Sequence, residues 1–188
     1  GTRVRRRARA ERLSCMAMHM KHTSAPLARY LAIAYALLVA YASLHPLTGW
    51  RDNGVPVFDY LGAAWPRYYT SFDLAANILA YLPLGFLLVP ALQGRLGIAA
   101  AALIAALAGG GLGFVLETLQ NFLPSRVPSN IDLACNAIGA MIGAAAGMNW
   151  GRALTDGGHL HRLRTRLVVD GPAADFGMVL LGLWLLAQ

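Results

Sequence analysis

Apolar positions in this chain gather into long, nearly uninterrupted runs instead of alternating with polar ones. Four such runs cover about Leu27–Leu44, Asp73–Leu92, Leu96–Leu116 (with Phe122 as an outer limit) and Ile131–Trp150. Runs of ~18 or more apolar residues with few charges are the pattern of helices that cross a bilayer. The predicted fold class is therefore all-α: a polytopic transmembrane helical bundle with four full spans. A fifth run, centred on Val179–Ala187, occupies only the 13 residues Phe176–Gln188. That is short of the ~20 needed to span and reads as a partial or truncated fifth helix. The organisation expected is a basic tail at 1–25, a four-helix membrane domain at 26–150, a basic segment at 151–175 and the start of a fifth apolar helix at 176–188.

Composition agrees. The chain of 188 residues is 57% hydrophobic and 13% charged, against the ~25% charged residues of a soluble domain. Its net charge of +7 does not indicate nucleic acid. The basic residues flank apolar runs and have no aromatic platform or zinc-ligand pattern beside them. Cys15 and Cys135 fall in a basic and an apolar segment, so no disulfide is expected. Met16, Met18 and Met20 are candidate translation starts. No small-x-small cleavage site followed by a soluble domain argues for a cleaved signal peptide.

Charge does set an orientation. Eight Lys and Arg residues precede or open the first span, Arg95 sits in the second loop, and Arg152, Arg162, Arg164 and Arg166 follow the fourth span. Arg51, Arg67 and Arg126 occupy the first and third loops. The positive-inside bias places the N-terminus in the cytoplasm, and discarding everything before Met20 leaves the same answer. Trp50, Trp65, Tyr68 and Tyr69 fit an outer aromatic belt.

Polar residues then collect at one end. Asp73 opens the second span, Glu117 closes the third and Asp132 opens the fourth, and all three ends face outward in this orientation. Asp73, Asn77 and Tyr81 lie four apart on one helix face, and Asp132 and Asn136 repeat that spacing. Glu117, Gln120 and Asn121 stack at i, i+3 and i+4. A polar stripe facing lipid is costly, so the stripes are expected to converge. Arg126, the only cation in its loop, is able to pair with any of the three carboxylates. A plainer account makes Asp73 and Asp132 helix caps. It does not cover Glu117, an anion at a helix C-terminus, nor Asn77 and Asn136, one turn inside. The candidate ligand-binding set is thus Asp73, Asn77, Glu117, Gln120, Arg126, Asp132 and Asn136, with Asp73, Glu117 and Asp132 as candidate catalytic carboxylates.

The pentapeptides Asp73–Asn77 and Asp132–Asn136 nearly repeat, either as an internal parallel repeat or as chance similarity in an alanine-rich chain. Gly139, Gly143 and Gly147 on the fourth run, and Gly109 and Gly113 on the third, are spaced for close helix packing. Pro83 should bend the second span. The Gly109–Gly113 run lacks the Lys-Ser/Thr of a phosphate loop. His159 and His161 are two apart and form no metal set, so neither a metal nor a cofactor is expected.

These residues carry a family resemblance. Asp73, Asn77, Pro83-Leu84-Gly85, Glu117, Gln120, Arg126, Asp132, Asn136, Gly139 and Gly143, with Ser43 and Pro46 before them, resemble in order and spacing the signature of the VanZ-like family. Pro124-Ser125-Arg126 departs from the family's proline-glycine-arginine form. The resemblance implies a multi-pass protein of the bacterial cytoplasmic (inner) membrane with an outer polar site. The family's namesake gives low-level resistance to the glycopeptide teicoplanin by an unsettled mechanism, which does not imply that this chain does so. The functional expectation is binding or modulation of lipid-linked cell-envelope components, or of glycopeptide sensitivity. Arg126 would contact an anionic headgroup, and the carboxylates would orient it. An intramembrane transferase or hydrolase using the same carboxylates is the alternative, and a transporter the third. Expected partners are membrane lipids and a lipid-linked precursor, with no nucleic acid.

Overall fold

The computed structural model of the chain describes residues 25–65, 69–94 and 96–150. The basic tail, Cys15, Arg67, Tyr68, Arg95, the basic segment and the fifth apolar run lie outside the described residues. Among the described residues the structure is entirely helical. It contains α1 (Ala25–Leu44), α2 (Asp59–Gly62), α3 (Ser71–Leu92), α4 (Ile98–Gln120) and α5 (Asn130–Trp150).

All helices but α2 are long and apolar enough to cross a membrane. At 1.5 Å per residue each reaches about 30 Å, the thickness of the hydrocarbon core. Their outward faces are apolar as well: Leu37, Leu79, Leu103, Leu107 and Met141 are all more than half exposed. In water such a surface would aggregate, whereas in lipid it is solvated. Only α2, a single turn that buries Tyr60 in the first loop, was not anticipated by the apolar runs. The helix α3 continues through Pro83 and Pro90.

Glycine fixes how the spans meet. The most extensive contact is between α3 and α5, which run parallel. A Cβ on Gly139 would strike the Ile78 carbonyl, one on Gly143 the Leu82 carbonyl, and one on Gly147 would come 2.9 Å from the Phe86 carbonyl. Gly85 of α3 makes the reciprocal approach to the backbone of Ala140. These backbone contacts are possible only without side chains, and in lipid such packing is a main source of helix association. Antiparallel to α5, α4 packs Gly109 on Ala140 and Gly113 on Asn136. α1 lies against α3, held by Tyr35 Oη donating to the Ala80 carbonyl at 3.0 Å. The C-termini of α1 and α4 and the N-termini of α3 and α5 thus gather at one end of the bundle.

Candidate functional site

Two helices begin at that end with the same local sequence logic. In α3, Thr70 is the N-cap and Asp73 is the third helical residue. The Asp73 carboxylate accepts from Thr70 N–H at 3.0 Å and Thr70 Oγ1 at 2.8 Å, while Asp73 N–H donates to Thr70 Oγ1 at 3.1 Å. This closed capping box occupies one oxygen of an exposed carboxylate. In α5 the equivalent pair is Ser129 and Asp132. The Ser129 carbonyl accepts the first helical bond, from Leu133, and Ser129 Oγ lies 3.4 Å from Asp132 N–H.

Here the box is left open on one side. Ser129 N–H, which the Asp132 carboxylate would take in a closed box, donates instead to Glu117 Oε2 at 2.9 Å. Asp132 turns to the neighbouring helix, where its Oδ1 accepts from Asn77 Nδ2 at 2.9 Å. This arrangement also explains why an anion is tolerated at the C-terminus of α4. Glu117, only 3% exposed, meets the positive end of α5, which offsets the unfavourable end of its own helix.

Gln120, one turn on, donates through Nε2 to Ser43 Oγ at 3.0 Å and to the Ser43 carbonyl at 3.2 Å, tying α4 to α1. Arg126 does not form the carboxylate pair that its position suggested. Its Nε and Nη2 donate to the His45 carbonyl at 3.2 and 3.0 Å, and Nη2 also donates to the Ala42 carbonyl at 3.1 Å. The guanidinium therefore caps the last turn of α1, where carbonyls lack helical partners and a cation is favoured.

These groups surround a partly open cavity of about 560 Å³. α1 contributes Tyr35 and Ser43, α3 Asn77 and Tyr81, α4 Glu117 and Gln120, the following loop Ser125 and Arg126, and α5 Asp132 and Asn136. Of the residues singled out from sequence, Asn77, Glu117, Gln120, Arg126, Asp132 and Asn136 line it together. Asp73 is not among the lining residues, because its carboxylate is held in its capping box. Asn121, the neighbour of Gln120, is buried away from the cavity, and its carbonyl accepts from Asn53 Nδ2 at 2.7 Å. Tyr81 belongs to the cavity too, its four-residue spacing from Asn77 having already placed it on that face.

Two lining atoms are distinctive. Tyr81 Oη and Asn136 Oδ1 are buried and have no hydrogen-bond partner among the described residues, on residues each 3% exposed. A buried polar group without a partner costs about 1–3 kcal/mol, so a pair on one cavity wall calls for an explanation.

The first loop folds over this end. Arg51 N–H donates to the Phe122 carbonyl at 3.0 Å, Tyr60 Oη lies 3.1 Å from Thr118 Oγ1, and Phe58 stacks on Phe114 with centroids 5.8 Å apart. Trp50, Phe58, Trp65, Tyr69 and Phe72 remain exposed around it, as in the aromatic belt of a membrane–water interface. Among the described residues no group of His, Cys, Asp and Glu is arranged to hold a metal ion. Comparison with known proteins finds one family model, VanZ/LLP1, matching residues 17–150. No curated protein matches the chain, and no solved structure does.

Proposed function

The chain belongs to the VanZ/LLP1 family, and from that membership we propose that it is a bacterial cytoplasmic-membrane protein that binds a lipid-linked cell-envelope component in the cavity at the outer end of its bundle. Through that binding it modulates envelope metabolism or glycopeptide sensitivity. The observation that carries this reading is the cavity itself. Four spanning helices and a loop converge there, and two of its buried polar atoms lack partners among the described residues. Sites that hold polar groups unsatisfied at membrane depth are costly, and ligand recognition is the usual return.

The outward placement rests on the lysine and arginine bias and on the aromatic residues around the cavity end. An aromatic belt and a cleft between helices suit a ligand with its chain in lipid and its head at the interface.

A test is equilibrium binding of a fluorescent polyprenyl-linked disaccharide to the purified full chain in detergent. Saturable binding that Asp132→Asn weakens supports the reading. Binding indifferent to every cavity substitution overturns it.

One observation favours a second reading. The Glu117 and Asp132 carboxyls and the Tyr81 hydroxyl line the same cavity, and paired carboxyls are able to exchange protons in a transferase or hydrolase. Product formed from the same probe, and lost with Glu117→Gln, would identify an enzyme. Bound but unchanged probe identifies a binding protein.

A further inference from the structure

The polar groups around the cavity are unequally satisfied. Asn77 spends Nδ2 on Asp132, and Gln120 spends Nε2 on Ser43. Arg126 spends Nε and Nη2 on backbone carbonyls of α1. Their engaged atoms are donors, and their acceptors fall within the protein. On the other side, Glu117 uses Oε2 and Asp132 uses Oδ1, and each keeps a second oxygen with no donor among the described residues. Asn136 Oδ1 and Tyr81 Oη, on residues lining the same cavity, are buried and have no hydrogen-bond partner among the described residues. No ion pair neutralises either carboxyl among the described residues. Arg126 brings one positive charge to the same cavity, and beyond it the unmet demand of Glu117, Asp132 and Asn136 is for hydrogen-bond donors and further positive charge.

We propose that the cavity recognises a primary ammonium group, borne by a lipid headgroup or by a free amine. This rests on the reading of the cavity as a binding site and names the group it takes. An ammonium carries three donors, one positive charge and no acceptor. Glu117, Asp132 and Asn136 offer acceptors to those donors, and the Tyr81 hydroxyl accepts a contact or relays one. Charge-assisted bonds to two carboxyls make the cation the favoured occupant over a neutral hydroxyl. A phosphate brings only acceptors and negative charge to a wall already rich in both. A trimethylammonium keeps the charge but has no N–H to donate.

The two unpartnered atoms separate ligand recognition from stability. Tyr81→Phe removes a hydroxyl that bonds to nothing among the described residues, so the variant should melt no lower than the parent chain in detergent. It should nevertheless bind the ammonium less well.

The experiment uses the full chain in nanodiscs, with fractional enrichment of bound lipid read by native mass spectrometry. Lipids of matched acyl chains carry ethanolamine, choline or glycerol headgroups, and free ethanolamine is titrated as a competitor. The expected result is enrichment of the ethanolamine lipid over the choline and glycerol lipids by about tenfold. Asp132→Asn and Tyr81→Phe should each reduce that preference. Glu117→Gln should too, and because it also touches the cap of α5, the other two variants keep the test independent of folding. Displacement of the lipid by free ethanolamine assigns recognition to the amine alone, and resistance to it assigns the whole headgroup. Equal enrichment of the three lipids overturns the ammonium proposal, as does a preference that survives Asp132→Asn and Tyr81→Phe. If the polyprenyl-linked disaccharide still binds in an Asp132-dependent way, the cavity remains a binding site and only the ammonium assignment falls. If neither probe depends on the cavity, both fall.

Discussion

The Ser129 N–H donates to Glu117 Oε2 at 2.9 Å, and this bond determines where Asp132 points. With its N-cap N–H already taken, α5 has no use for the Asp132 carboxylate in a capping box, and Asp132 reaches Asn77 instead. Removing the Glu117 carboxyl should therefore be felt at the start of α5. Glu117→Ala should lower stability by about 1–2 kcal/mol, the range for a lost cap. Glu117→Gln keeps an oxygen for Ser129 and loses only the charge facing the helix dipole, about 0.3–1 kcal/mol. Thermal melts in detergent read both, and an Ala variant as stable as the parent would deny Glu117 its capping role.

Arg126 and Glu117 should behave almost independently. Arg126→Ala leaves the carbonyls of Ala42 and His45 without their donor and should cost about 1–2 kcal/mol. Lysine restores a charge but not the planar fork that spans both carbonyls, so Arg126→Lys should recover only part of the loss. A double-mutant cycle with Glu117→Gln should give coupling within about 0.5 kcal/mol of additivity. A larger coupling would mean that the guanidinium serves the carboxylate after all.

The glycine faces should be intolerant in proportion to what a side chain would meet. Gly143→Ala drives a Cβ into the Leu82 carbonyl, a backbone atom that cannot swing away. It should separate α3 from α5 and cost on the order of 3 kcal/mol, at the upper end for overpacking. Gly111→Ala meets nothing within 4 Å and should be neutral or slightly stabilising. Equal melts for the two variants would mean that α3 and α5 do not pack through these glycines.

Much of this is legible in the sequence. The four spans follow from run length alone because a bilayer requires about 20 apolar residues per helix. The glycine spacing announced the close faces without saying which helix each would meet. Helix periodicity put Asn77, Tyr81 and Asn136 on polar stripes, but convergence depends on the parallel register of α3 and α5, which Gly139 and Gly143 set against Ile78 and Leu82. The roles of the charged residues were least legible. Asp73 and Asp132 sit in nearly identical sequence, and what separates them is Glu117, twelve residues before Ser129 and on another helix. Arg126 read as a partner for carboxylates because sequence shows charges and hides backbone carbonyls. The short α2 has no run to announce it.

Topology is open to a direct check. In a background lacking Cys15 and Cys135, a cysteine replacing Ser125 should react with an impermeant thiol reagent in intact cells. One replacing Gly157 should be protected until the membrane is opened. The reverse pattern would turn the cavity to the cytoplasm and remove the argument for an extracytoplasmic ligand.

The two aspartates provide the sharpest test of the site. Both are third residues of their helices, preceded by a hydroxyl-bearing N-cap residue, yet only Asp132 lines the cavity. Binding of the fluorescent polyprenyl-linked disaccharide should be measured side by side for Asp73→Asn and Asp132→Asn, with melts run on the same samples. The account predicts that Asp73→Asn lowers the melting temperature and leaves the affinity of the folded protein unchanged, whereas Asp132→Asn weakens binding by about tenfold or more. Equal affinities in the two variants would contradict it.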